Sequence, residues 1–164
     1  MGIFQITLIV ATFLCSLVAG FLFAFAVVVM PGIGKLGNGE FLRAFQEIDR
    51  VIQNSQPVFM LVWMGSVIAL LTAAALGFKQ LDGTGRLLMI GAVLVYLLGV
   101  QIPTITVNVP LNNSVQALQI DEMGETAMEA ARQAFEPRWN NWNSARTVLA
   151  SLVSVLLILL LLRL

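Results

Sequence analysis

The stretch IFQITLIVATFLCSLVAGFLFAFAVVVM, residues 3–30, carries no charged side chain and closes on Met30-Pro31-Gly32. A bilayer core about 30 Å thick is crossed by about 20 helical residues, so this run is long enough to span it. A cleaved leader would show a basic start and a shorter apolar stretch, and Met1 to Thr7 has no basic residue. The run is therefore read as a mature transmembrane helix, which Pro31 and Gly32 should stop. Met1-Gly2 does not open a myristoylation motif, because Ile6 stands where that motif wants Ser or Thr.

Outward from this helix, three more apolar windows follow at residues 57–78, 87–106 and 147–162. The expectation is an all-α protein: a four-helix transmembrane bundle forming a single integral membrane domain over residues 1–164. Composition agrees, since 59% of the 164 residues are apolar and 11% charged, against roughly 45–50% and 25% in ordinary globular chains. Mean hydropathy is +0.90. Nine basic and nine acidic residues cancel, leaving no polybasic block to attract nucleic acid. With no histidine, imidazole-ligated metals and histidine bases are excluded. The single cysteine, Cys15, can form no internal disulfide and reads as a small packing residue.

A short polar turn, residues 79–86, joins the second and third windows as antiparallel neighbours. The two long connections carry amphipathic interfacial helices. In residues 39–54, Phe41, Leu42, Phe45, Ile48, Val51 and Ile52 form one stripe opposite Glu40, Arg43, Glu47 and Arg50. In residues 112–146 a second helix is expected at 126–135, with Pro137 opening a new helix that leads into the fourth window. Four crossings put both long connections on one side. That side holds Lys35, Arg43, Arg50, Arg132, Arg138 and Arg146, against Lys79, Arg86 and Arg163 opposite. Charges held in folded helices weigh little in a positive-inside count, so orientation stays open.

Helices in lipid associate through small residues and a few hydrogen bonds. Gly65, Ala69, Ala73 and Gly77 form a ridge on the second window, and Gly20 with Ala24 a similar pair on the first. Gln101, Thr104 and Thr106 surround Pro103 and read chiefly as glue between helices or as partners for the carbonyl that a proline frees.

A functional site needs polar groups converging under an apolar cover. From Pro137 onward Trp139, Trp142, Asn143 and Arg146 fall at i, i+3, i+4 and i+7, so one helix face can present all four. Asn108 and Asn112 leave the third window on the same side of the membrane. Arg146 there can neutralise an enolate, phenolate or carboxylate. Interfacial Trp also anchors helices and interfacial Arg also snorkels, but anchoring requires no amides. Asp49 and Glu47 are the nearest candidates for a proton-abstracting base, although amphipathic helices carry such charges for solvation alone.

Val29-Met30-Pro31-Gly32, the run Phe45-Gln46-Glu47-Ile48-Asp49-Arg50 leading to Asn54 and Pro57, Asn108-Val109-Pro110-Leu111-Asn112, and Trp142-Asn143-Ser144-Ala145-Arg146-Thr147 occur in this order between the windows. Together they make nearly the whole chain resemble the DUF1772 group of anthrone oxygenase-like, small four-helix membrane proteins. The resemblance implies a multi-pass protein, placed in a bacterial plasma membrane, that oxidises an anthrone-like aromatic or a quinol with molecular oxygen and needs no metal or cofactor. On that reading Arg146, Asn143 and Asp49 are the catalytic candidates. Asn108, Asn112, Trp139 and Trp142 would bind the substrate, the indoles by stacking on planar rings. The expected partners are membrane lipid and a planar aromatic molecule; a homo-oligomer stays open. The alternative from another class is a non-catalytic membrane module that binds a lipid, a quinone or a partner protein. A channel or transporter is disfavoured because the windows hold no charged residue away from their ends.

Overall fold

A computed structural model describes residues 2–164, and among these no strand occurs. Four helices are long and apolar enough to cross a membrane: α1 (Ile3–Ile33), α3 (Pro57–Gly77), α4 (Gly83–Gln116) and α5 (Glu125–Leu162). The amphipathic α2 (Asn38–Gln53) lies between α1 and α3. The expected all-α bundle with four crossings is therefore present.

The boundaries of three of the four spans differ from the sequence expectation in favour of longer helices, while α3 keeps the expected length to within one residue. Pro31 does not end α1, which reaches Ile33. The third window extends to Gln116 through both Pro103 and Pro110. Pro137 opens no new helix; it sits inside α5, which fuses the expected 126–135 segment with the fourth window. Pro137 and Gln133, whose carbonyl it leaves unpaired, are both exposed, where solvent can satisfy the freed group.

Apart from Pro57, which opens α3, the remaining three prolines behave differently. Each follows a π-helical turn by two residues: Phe25–Val29 before Pro31, Val95–Gln101 before Pro103, and Thr104–Asn108 before Pro110. A proline ring clashes with the carbonyl four residues earlier and offers it no N–H. Those carbonyls belong to Val27, Gly99 and Thr106, and each lies inside the widened turn. Widening the coil by one residue relieves the clash without breaking the helix. Thr104 and Thr106 donate to the carbonyls of Val100 and Ile102 at 2.7 and 2.8 Å, while Gln101 is bonded elsewhere.

At 1.5 Å per residue α3 is about 32 Å long, just enough for the hydrocarbon, whereas α4 and α5 exceed 50 Å by about the same rule. Their surplus rises on the side of the long connections. There α2 lies across the bundle with Phe41, Leu42, Phe45 and Asp49 buried, packed with Phe135, Trp139 and Val115 into a second core. Val51, expected on the buried stripe, is 58% exposed. Arg132 of α5 ties the α1–α2 link down, donating to the carbonyls of Gly34 at 2.7 Å and Leu36 at 2.9 Å. Its guanidinium also lies 4.4 Å over the Phe41 ring.

Within the membrane, α1 packs along both α3 and α5, and α4 along α5. The ridge on α3 faces α1. A Cβ on Gly77 would come within 2.4 Å of the Phe4 ring and one on Gly65 within 3.3 Å of Leu14. Ala73 is fully buried and Ala69 packs against the core. Gly20 is no such contact: it is exposed, with nothing within 4 Å of a Cβ placed there. The close approach between α4 and α5 is made instead by Gly99, against Leu149 at 2.6 Å. Ala69→Leu should lower stability by about 1–3 kcal/mol through overpacking, read as a reduced thermal midpoint in detergent. An unchanged midpoint would refute the ridge.

At the short turn, Asp82 caps α4 by accepting from the Gly85 N–H at 2.7 Å. That hydrogen bond, with Arg163 nearby, holds the carboxyl below its ordinary value. The stabilisation is thus present at neutral pH and lost as pH falls through the lowered value. α3 and α4 meet beside this turn and diverge toward the opposite side. A cavity occupies the gap.

Candidate functional site

The cavity has a volume of about 510 Å³ and draws on all five helices, within the usual range for small-molecule sites. On α3 its lining runs from Phe59 to Val67, which places it in the half of the bundle nearest the long connections, beneath α2. Phe21, Phe25, Phe45, Phe59 and Trp63 give it an aromatic wall, with Phe59 and Trp63 stacked at 5.4 Å. Phe21, Phe25, Ile52, Phe59 and Trp63 also line an apolar groove between α1, α2 and α3, so the aromatic wall borders both hollows.

Six of the seven residues singled out from sequence line this one cavity: Asp49, Asn108, Asn112, Trp139, Asn143 and Arg146. Trp142 does not; it is 39% exposed. Helical spacing alone admits it, about 60° from Trp139 and about 40° from Arg146, but the packing of α5 leaves it outside. Glu47 also points away, exposed and ion-paired with Arg50 at 2.8 Å.

Arg146 is 3% exposed. It donates to Thr104 Oγ1 at 2.7 Å and to Asn143 Oδ1 at 3.1 Å, and its Nε has no partner. Asn143 is in turn fixed by donating to the Leu22 carbonyl at 3.1 Å. No carboxylate pairs with Arg146 among the described residues. A desolvated cation held only by neutral groups is costly, and that cost is offset when an anion arrives.

Asp49 is the complementary case. It is also 3% exposed and is held by amides alone: Asn112 at 2.7 Å, Gln53 at 2.7 Å and Gln116 at 3.1 Å. Asn112 accepts from the Trp139 indole at 2.7 Å, making a chain from Trp139 through Asn112 to Asp49. One hollow thus contains a guanidinium and a carboxylate that are not spent on each other.

Two further polar side chains line it. Gln101 accepts from the Trp63 indole at 3.0 Å, and Thr104 holds the guanidinium. Sequence reading placed both among the residues that stitch helices together, and so they do. Their position in π-helical turns, which concentrate at functional sites, is what also turns them toward the cavity.

No curated protein and no solved structure matches the chain. A family model described as anthrone oxygenase matches residues 51–156, a segment that includes Asn108, Asn112, Trp139, Asn143 and Arg146 and begins two residues after Asp49. With this match over more than half its length, on a four-span bundle of the expected design, the chain belongs to the anthrone oxygenase family.

Proposed function

We propose that the protein oxidises an anthrone-like aromatic or a quinol with molecular oxygen, without a bound cofactor, in the leaflet beneath α2. The observation that carries this reading is the buried, carboxylate-free guanidinium of Arg146 in an aromatic-lined hollow that also contains Asp49. Asp49 removes a benzylic proton, which is acidic because the resulting enolate is fully aromatic. Arg146, whose Nε is free, stabilises the enolate oxygen, with Asn143 holding the guanidinium and Asn112 holding Asp49 in place. Trp139 and the phenylalanine wall exclude water and hold the rings.

The electron-rich carbanion then reduces oxygen directly and forms a carbon–oxygen bond, giving a peroxide that takes up the proton from Asp49. Loss of the second benzylic proton together with hydroxide leaves the ketone. The methylene becomes a carbonyl, one atom of oxygen stays on carbon, and the other leaves as water.

The substrate class fits a membrane source, in keeping with the apolar groove along the same wall; we place the protein in the plasma membrane of a bacterium. The test is oxygen uptake by purified protein in nanodiscs supplied with anthrone, with the quinone followed by its absorbance. A rate above that of empty nanodiscs supports the reading. No uptake, with an aromatic or lipid retained on native mass spectrometry, would instead favour a non-catalytic binding module.

A further inference from the structure

From Gly65 toward the long connections, α3 stands almost free. Gly65 faces Leu14 of α1 and Ser66 shares a hydrogen bond with the Tyr96 hydroxyl of α4 at 2.6 Å, so both neighbours grip α3 at that level. Beyond it, the apolar groove lined by Leu17, Val18 and Phe21 separates α3 from α1, and the cavity separates it from α4. Residues 57–64 therefore have a hollow on either flank.

The ties across those hollows are few. Phe59 and Trp63 lie against the Phe21 ring, with centroids 5.3 and 6.4 Å apart. Among the described residues, the segment makes one hydrogen bond to another helix: the Trp63 indole donates to Gln101 Oε1 at 3.0 Å. That bond crosses the cleft between α3 and α4 where the cavity reaches the lipid-facing surface, since Met64 and Ile105 line the cavity and yet are 51% and 66% exposed. Both ends of the segment are built to bend. Helices kink at Gly/Ser pairs, and in the pair Gly65-Ser66 the hydroxyl also bonds back to the Trp63 carbonyl at 2.7 Å, a contact that bends helices. At the other end, Ser55 has a φ of 56°, a left-handed conformation strained for a residue with a Cβ, so the link to α2 relaxes when it moves. Gln56 caps the segment by accepting from the Phe59 N–H, which lets it move as one rigid piece.

We infer that residues 57–64 form a lateral gate, hinged at Gly65-Ser66 and at Ser55 and latched by the Trp63–Gln101 hydrogen bond, through which an apolar ring compound dissolved in the bilayer enters the cavity between α3 and α4. What passes the gate rests on the aromatic reading of the cavity; the motion itself does not. Opening breaks a single neutral hydrogen bond, a weak restraint even in lipid, and the groove beside α1 gives the segment room to swing away from α4.

A gate controls how fast a ligand exchanges and leaves its affinity alone, so the test is kinetic. In nanodiscs, with anthraquinone as the probe and quenching of tryptophan fluorescence as the signal, Trp63→Phe keeps a ring and loses the donor. It should raise the association and dissociation rates together by about fivefold, with Kd unchanged to within about twofold. Gln101→Leu should do the same, and the double variant no more than either, because both remove one bond. With Cys15 replaced by Ala, a Trp63→Cys, Gln101→Cys protein bridged by a bifunctional thiol reagent should exchange the probe at least about tenfold more slowly than before bridging, and reduction should restore the rate. Bridged and reduced forms are the same polypeptide, so a folding defect cannot mimic this result. Unchanged rates in the single variants, or exchange through the bridged form as fast as through the reduced one, would overturn the gate. Spin labels at Met60→Cys and Ile105→Cys follow the motion with no ligand present: Trp63→Phe should move weight to a longer separation, and an unchanged distribution overturns the gate whether or not anthraquinone binds. A shifted distribution without anthraquinone binding supports the gate and counts against the aromatic reading alone.

Discussion

Arg146→Gln should cut anthrone-dependent oxygen uptake by about a hundredfold to a thousandfold, the usual loss when one preorganised oxyanion donor is removed. The fold should survive, because the substitution takes a desolvated cation out of the membrane, and the thermal midpoint should not fall. Arg146→Lys should rescue little: one ammonium cannot reproduce the fork that grips Thr104 and Asn143 while leaving Nε free. An Arg146→Gln protein that oxidises anthrone at the wild-type rate would remove the guanidinium from the mechanism.

Asp49→Asn should lower the same rate by about a hundredfold at neutral pH, within the ordinary range for a positioned base. The two defects should separate on raising the pH. Once solution hydroxide forms the enolate, the Asp49→Asn protein no longer needs its base and should approach wild type. The Arg146→Gln protein should remain slow, because the anion still lacks its partner. An Asp49→Asn deficit constant across the pH range would argue that the carboxylate only positions Asn112 and, through it, Trp139.

The architecture was readable because lipid imposes a length and a composition on each crossing, and all four apolar windows became helices. Their ends were not, because Pro31 was read as a stop and Pro137 as a start, while α5 runs through Pro137 and α1 passes Pro31, as α4 passes Pro103 and Pro110, by widening the preceding turn. The polar part of the site was largely legible. Asn143 and Arg146 share the inward face of α5 with Trp139 by simple helical spacing; the same spacing admits Trp142, and only the packing of α5 excludes it. Asp49 was half legible: the stripe of α2 identified the buried face, and the tertiary contacts of that face decided between Asp49 and Glu47. Gln101 and the phenylalanine wall were hidden for a common reason. In an apolar span, a lone amide or ring looks the same whether it meets a neighbouring helix or an empty space.

The three enlarged turns make the count of residues matter as much as their identity. One additional residue in a coil advances everything downstream by about 100°, so α4, with two such insertions, reaches Asn112 on a different azimuth from that of an unbroken rod. Shortening either coil by a single residue would swing Asn108 or Asn112 toward lipid while leaving hydropathy unchanged. Among relatives of this protein, the interval separating each proline from the polar groups beside it should therefore resist gain or loss of one position more firmly than most side chains resist replacement.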